Sequence, residues 1–420
     1  MRLRFAIRVA PAHSGHGPTM SSPHARAGVL SVTVVTTTLL LTACTAGPGA
    51  STGTTGAPAA NISLAAPAPP ASPPSSCTGT DANVALPSAP HGLFVADANT
   101  PEVTSLVSRA VVAQDVATDP TVCGADIVVP WSSVDRGPNA AARYDWSFVD
   151  RAAAPWIAAG KSVNLVVWGT AGATAQQWGQ PVTPAYVRAQ VDLVRCGDGT
   201  PPTPVFWEPG YADNWRAFVA AVIAHFATTP WIASIRFGIG VAGGDAVSAA
   251  PSAACREQWR SYGMTAALWT SYSIATVDAE AALGSPKPLF VGVDDFFGTV
   301  ALPRSVTARA AADRLGVEAH GLTGNAVVAF AKSRTCPGDF CALFPALAGK
   351  VPLAVGVAPG AGGAASPALA YLALDNRAQV VELGVAAWLV ADDANWPGYA
   401  AQHAAQAAAL ARAAAILGRA

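Results

Sequence analysis

Charge is scarce in this 420-residue sequence. Lys, Arg, Asp and Glu make up 12% of it, and 25 basic against 26 acidic side chains leave a formal net charge of −1. So balanced a chain has no field with which to neutralise a phosphate backbone, which excludes nucleic acid as a partner held by charge. Several short motifs are missing as well. No GxGxxG follows the first strand-like run and no GxxxxGK(S/T) occurs anywhere, so nucleotide-binding folds lose their usual support. No HExxH is present, and no GxSxG lies at a strand-to-helix junction, which sets aside zinc proteases and nucleophile-elbow hydrolases. There is no CxxC, and no His lies three to five residues from a cysteine. The sequence therefore predicts neither a metal site nor a cofactor.

What is abundant is apolar: 51% of the residues are hydrophobic, enough for a large core. The N-terminus has a character of its own. In "SSPHARAGVLSVTVVTTTLLLTAC", His24 and Arg26 precede an apolar run that closes on Leu41, Thr42, Ala43 and Cys44. This reads as an export signal (residues 1–44) and not as a fold element. Ending in cysteine, it resembles a bacterial lipoprotein signal, which implies that Cys44 becomes a lipidated first residue and ties the protein to the outer face of the cell membrane. Met20 is a more usual start for such a peptide than Met1. Residues 45–80 are dominated by Gly, Ala, Pro, Ser and Thr and lack apolar periodicity, so they predict a disordered tether.

The cysteines fit export. Beside Cys44 there are six: Cys77, Cys123, Cys196, Cys255, Cys336 and Cys341. An even number outside the cell reads as up to three disulfides. "CPGDFC" makes a loop that a Cys336–Cys341 bridge could close, and chain order suggests Cys77 with Cys123 and Cys196 with Cys255.

From residue 81 to the end, short β-branched runs alternate with Ala-rich helical stretches. The candidate strands are "GLFVAD", "ADIVVPW", "SVNLVVW", "SIRFGIGV", "PLFVGVD", "GVEAHGL", "PLAVGVA" and "VVELGVAAW". Between them, "NWRAFVAAVIAHFA" repeats Trp215, Phe218, Val219, Val222, Ile223 and Phe226 at helical spacing, one apolar face. Eight near-continuous apolar strands with intervening helices predict an α/β domain of the (β/α)8 TIM-barrel type.

In that fold, ligands bind at the C-terminal ends of the strands. The residues there are aromatic and acidic. They are Asp97 after the first strand, Trp131 and Asp135 after the second, Trp168 at the end of the third, and Asp245 after the fourth. Asp294 and Asp295 follow the fifth, His320 closes the sixth, and Trp388, Asp392 and Asp393 follow the eighth. Indole faces beside carboxylates suit sugars, whose C–H faces stack on the ring while their hydroxyls donate to the acids. Asp97, Trp131, Trp168, His320, Trp388 and Asp392 are the candidate substrate contacts, and the expected partner is a carbohydrate.

The segment "GADIVVPWSSVDRGPNAAARYDWSFVDRAAAPWIAAGKSVNLVVW" resembles the second and third barrel units of β-galactosidase-like retaining glycoside hydrolases. They share a strand ending in Pro-Trp, then a Tyr-Asp-Trp-Ser turn into a helix that leads through Gly-Lys to the next strand. "PVFWEPGYADNWRAFVAAVIAHFATTPWIASIRFGIGVAGGD" resembles the following unit, and the likeness fades after Asp245. It implies a pair of carboxyl groups from strands four and seven, about 5 Å apart, one protonating the leaving oxygen and the other attacking the anomeric carbon. Asp245 takes the acid position, although the family has Glu there. Strand seven, "VPLAVGVAPGAGG", contains no acid. Asp294 or Asp295, Glu318 and Glu382 are the replacements, and a wider separation would imply an inverting reaction through an activated water.

Two functions from different classes remain open. One is an exported glycoside hydrolase in which Asp245 opposes Asp294 or Glu382. The other is a carbohydrate-binding pseudoenzyme that has lost the strand-seven nucleophile. A purely structural envelope lipoprotein is a third possibility.

Overall fold

The aliphatic runs do become strands, and they close. In the computed structural model β1 (Gly92–Val95), β2 (Val122–Pro130) and β3 (Ser162–Trp168) are followed by a two-stranded antiparallel excursion, β4 (Leu193–Val194) with β5 (Thr203–Pro204). The parallel series then resumes with β6 (Ile232–Phe237), β7 (Leu289–Val293), β8 (Gly316–Leu322), β9 (Leu353–Val357) and β10 (Val380–Leu383). Each of these eight pairs with its neighbours in parallel, and β10 returns to β1 to complete a closed barrel. The structure describes residues 77, 90–99, 116–170, 181–196, 202–238, 253–293, 301–322, 343–357, 370, 377–385, 387–388 and 399–417, all within the unit Ala65–Ala420. The protein is a (β/α)8 barrel.

The described helices, in chain order, are α1 (Trp131–Val134), α2 (Ser147–Ala158), α3 (Ala185–Arg188), α4 (Pro209–Phe226), α5 (Ala253–Ser261), α6 (Ala266–Ala281), α7 (Ala301–Ala312), α8 (Phe344–Leu347) and α9 (Tyr399–Leu417). Local chemistry sets several of their ends. Pro209 occupies the first turn of α4, where its missing N–H costs nothing. The Thr265 hydroxyl caps α6 by accepting from the Leu268 N–H at 3.0 Å. On α4 the expected apolar face is buried from Trp215 to Phe226, with Tyr211 extending it one turn earlier. It packs on the outside of the barrel in the main core.

Strands buried on both faces read as continuous apolar runs, which is why they were legible. Inside the barrel, the period of two separates three levels. Phe94, Phe290, Ala354 and Val380 form a lower cluster with Cys123, against which Cys77 packs. It is close-fitted: a Cβ on Gly124 would lie 2.3 Å from the Phe94 ring and 2.4 Å from the Ser162 carbonyl oxygen, and one on Gly316 would lie 2.7 Å from the Phe290 ring. Toward the ends of β2 and β3, Val128, Val166 and Trp168 cluster with Val182 of the following segment. Between these two levels the interior is polar.

Two disulfides join the described residues, Cys77–Cys123 and Cys196–Cys255, the pairing that chain order suggested. Cys336 and Cys341 lie outside the described residues. Among the described residues no helix is long and apolar enough to cross a membrane.

Candidate active site

The polar level is built from six side chains on five of the eight barrel strands. β2 contributes Asp126, β3 Asn164, β6 Ser234 and Arg236, β8 Glu318 and β10 Glu382, all buried. The register explains their meeting. Asn164 is paired across the sheet with Asp126 on one side and Ser234 on the other, so three polar side chains share a row. Ser234 Oγ donates to Asn164 Oδ1 at 2.7 Å, and Asn164 Nδ2 donates to Asp126 Oδ1 at 3.0 Å.

Arg236 holds the centre. Its guanidinium is in direct contact with Glu382, while Glu318 Oε1 and Asp126 Oδ2 stand 3.7 Å from its nitrogens. Burial alone would make the guanidinium easier to deprotonate, but Glu318, Glu382, Asp126 and Asp97 together hold it more firmly charged than in water. Asp126 moves the other way. Desolvation and the neighbouring Glu382 push its carboxyl well above the usual carboxylate range, against the opposing pull of Arg236 and Asn164. Beneath the cluster a cavity of about 10 Å³, lined by Asn164, Ser234, Arg236 and Glu382 together with Phe290, Ala354 and Val380, has room for no more than a water molecule.

A second carboxylate stands at the rim, after β2. Asp135 accepts from Trp131 Nε1 (3.0 Å), from the Gly137 N–H (2.9 Å), from Tyr186 Oη (2.6 Å) and from Arg143 through Nε and Nη2 (3.2 and 3.1 Å). Burial would raise its carboxyl, but these donors outweigh it and hold the group below the usual range. The network clasps the segment after β3 to the segment after β2, because Tyr186 lies on α3. The Ser132 N–H donation to the Val182 carbonyl and the Thr183 Oγ1 donation to the Gly169 carbonyl reinforce it.

Against this geometry the sequence-predicted residues divide. Glu382 is brought to the barrel interior, on Arg236 and beside Glu318. Asp97 is half-buried in a left-handed backbone conformation (φ 48°), close enough to act electrostatically on both Asp126 and Arg236. Trp168 ends β3 in the upper interior cluster.

Two tryptophans require correction as sugar platforms. Trp131 is 0% exposed because it points outward, stacked on Phe218 and edge-on to Tyr211 and Trp215 of α4. Trp388 is likewise 0% exposed, with its indole N–H donating to the hydroxyl of Thr121, the residue that leads into β2. Neither ring has a face left for a ligand. His320 belongs to β8, but its side chain is not among those described, and Asp245, Asp294, Asp392 and Cys44 lie outside the described residues.

Asp126, Asn164 and Arg236 were not anticipated. The signal for them exists: each is a polar residue interrupting a mostly apolar strand, as Glu318 and Glu382 are in "GVEAHGL" and "VVEL". In a strand buried on both faces such a residue must meet another polar group across the barrel. Among the described residues no group of His, Cys, Asp and Glu is arranged to hold a metal ion.

The fold and site together define a (β/α)8 barrel with an ionisable interior. No protein-family model and no curated protein matches the sequence. Among solved structures the barrel is similar to the catalytic domain of a β-amylase from Paenibacillus polymyxa, at 10% identity over 70% of this chain and 91% of that one, with a TM-score of 0.45. A β-galactosidase from the psychrophilic Marinomonas ef1 matches at 13% identity and a TM-score of 0.45, and 70% of this chain spans only 53% of it. An endo-β-1,4-xylanase of glycoside hydrolase family 10 from Gloeophyllum trabeum matches at 11% identity over 70% of this chain and 83% of that one, with a TM-score of 0.43. At these identities the likeness concerns the fold alone.

Proposed function

We propose that this protein is a glycoside-hydrolase-like enzyme that cleaves a glycan at the strand-end mouth of its barrel. The observation that carries the reading is the interior level at which Asp126, Glu318 and Glu382 surround Arg236. A barrel interior is ordinarily filled by branched aliphatic side chains. Ionisable groups there are expensive to bury, and such arrangements concentrate at sites of chemistry.

In this reading Asp245 protonates the glycosidic oxygen and a second carboxylate either attacks the anomeric carbon or activates water. Of the two candidates for the second role, Glu382 comes ahead of Asp294, because contact with a guanidinium favours the ionised form that a nucleophile or base requires. With Trp131 and Trp388 packed away, the proposed sugar contacts are Asp97, Trp168, His320 and Asp392. Export and lipid attachment at Cys44 belong to the same proposal, and two disulfides support an oxidising compartment.

The test is hydrolysis of a panel of aryl glycosides by the full chain, with glycan binding followed on the same samples. Wild type is expected to turn over at least one glycoside, and Asp245→Ala and Glu382→Gln to lose at least about 100-fold in rate. A Glu382→Gln variant with unchanged rate would move the opposing role to Asp294. If wild type binds a glycan and cleaves none of the panel, the protein is a non-catalytic carbohydrate binder.

A further inference from the structure

Among the described side chains, the polar level of the barrel has more acid than the one guanidinium it shares can balance. Asp126, Glu318 and Glu382 share Arg236, and all four side chains are at most 5% exposed. Were all three ionised, the set would carry two uncompensated negative charges in the protein interior, where an acid more readily keeps its proton than stays charged.

Geometry separates Glu382, in contact with Arg236, from Asp126 and Glu318, which each stand 3.7 Å from it, and of those two Asp126 is the one paired with a neutral amide. An ionised carboxylate closes on a guanidinium to about 2.7–2.9 Å, and Glu382 is in contact with Arg236 in this way. Asp126 Oδ2 stands off at 3.7 Å and accepts no hydrogen bond. Its other oxygen, Oδ1, accepts from Asn164 Nδ2, and that amide is held in this orientation because its own oxygen accepts from Ser234. With one oxygen engaged by a neutral donor and the other out of contact with the cation, the ionised form has little direct compensation, which favours the neutral acid, with Oδ2 the oxygen available to hold the proton. The charged groups that act on Asp126 are Glu382 from β10, Arg236 from β6 and Asp97 from the end of β1. β3 presents only the neutral Asn164. β7 and β9 present Phe290 and Ala354 to the same interior, and neither can titrate.

We infer that Asp126 is carried as a neutral carboxylic acid and acts as a positioning residue, leaving the Arg236 guanidinium to hold Glu382. The part that concerns Glu382 rests on its reading as the opposing carboxylate. When Asp126 loses its proton, a second anion competes for the same guanidinium and Glu382 is no longer uniquely held. The folded protein binds this proton more tightly than the unfolded chain does. Stability therefore falls as pH rises from the ordinary Asp range through the raised range of Asp126, and levels off above it.

The experiment is infrared difference spectroscopy of the full chain in the protonated-carboxyl C=O region at pH 7. It is run in a Glu280→Gln background, because Glu280 is a second buried carboxyl, pushed well above the usual carboxylate range by desolvation against one hydrogen bond from Trp215. The expected result is a band that Asp126→Asn removes, together with a flatter fall of unfolding midpoint with pH in that variant. Glu382→Gln, which takes away the competing anion, should shift disappearance of the band to lower pH by roughly one unit or more. Should Asp126→Asn not fold, the background protein and Glu382→Gln decide the matter. Absence of any band at pH 7, or a band that neither variant alters, overturns the inference. No glycoside enters these measurements, so a protein that shows the band and cleaves nothing contradicts the hydrolase reading and leaves the protonation of Asp126 standing.

Discussion

Asp135 at the rim and Asp126 in the floor are both buried aspartates beside an arginine, and their surroundings differ in one respect. At the rim, one guanidinium serves one carboxylate, and a tyrosine, an indole and a backbone N–H complete its shell. In the floor, one guanidinium is shared by three carboxyls, and Asp126 receives a single hydrogen bond from a side-chain amide. The first arrangement holds its acid ionised and the second keeps its acid neutral. A saturated carboxylate of the rim type is architecture, fastening the segments after β2 and β3 to one another. A set with more acid than base responds to any added charge or proton.

Substitutions can sharpen this contrast. The largest effect is expected from Arg236→Met, which removes the shared cation and leaves Glu382 buried without its partner, at a cost of about 3–5 kcal/mol near neutral pH. Denaturant unfolding measures it, and acid should reduce the loss because the floor carboxyls then take up protons. Next comes Asp135→Ala, which leaves Trp131 Nε1 without its acceptor and leaves Tyr186 Oη and the Arg143 guanidinium bonded only to one another. About 2–3 kcal/mol is expected, with faster proteolysis at residues 181–196 as the local sign that the clasp has opened. Asp126→Asn should cost least. Replacing a neutral acid by a neutral amide of the same shape is expected to change stability by less than about 1 kcal/mol near neutral pH, because the amide, like the neutral acid, does not compete with Glu382 for the guanidinium. Equal losses in the last two variants would erase the distinction.

Much of this architecture could be read in advance, for a definite reason. Parallel strands covered on both faces are mostly apolar along their length, and "SVNLVVW" and "GVEAHGL" coincide with β3 and β8 residue for residue. The eighth run, "VVELGVAAW", continues apolar beyond β10 because the chain turns there, with the Ala387 and Trp388 N–H groups bonding back to Gly384 and Val385, while staying buried. Hydropathy cannot distinguish a buried turn from a buried strand.

The site was harder to read, since proximity to a strand end fixes a residue's level and not its direction. Trp131 follows Val129 in the outward set and joins the helix layer, whereas Asp126 and Val128 belong to the inward set. Applied to β2, alternation assigns Trp131 to the packing and Asp126 to the interior. It could not have shown that Arg236 would draw together acids from β2, β8 and β10, because that depends on how eight registers close around the barrel.

The most direct measurement is the pH dependence of unfolding of wild type, Asp126→Asn and Asp135→Asn, side by side on the full chain. Asp135 is held below the usual carboxylate range, so its stabilisation is present above the ordinary Asp range and disappears as pH falls through the folded value. The Asp135→Asn deficit should accordingly be full at neutral pH and vanish in acid. Asp126 is shifted the opposite way, and Asp126→Asn should gain on wild type as pH rises from the ordinary Asp range. Difference curves of opposite sign are the predicted result. Two deficits that both grow toward neutral pH would show that Asp126 is an ionised structural carboxylate like Asp135, and would contradict the account of the floor.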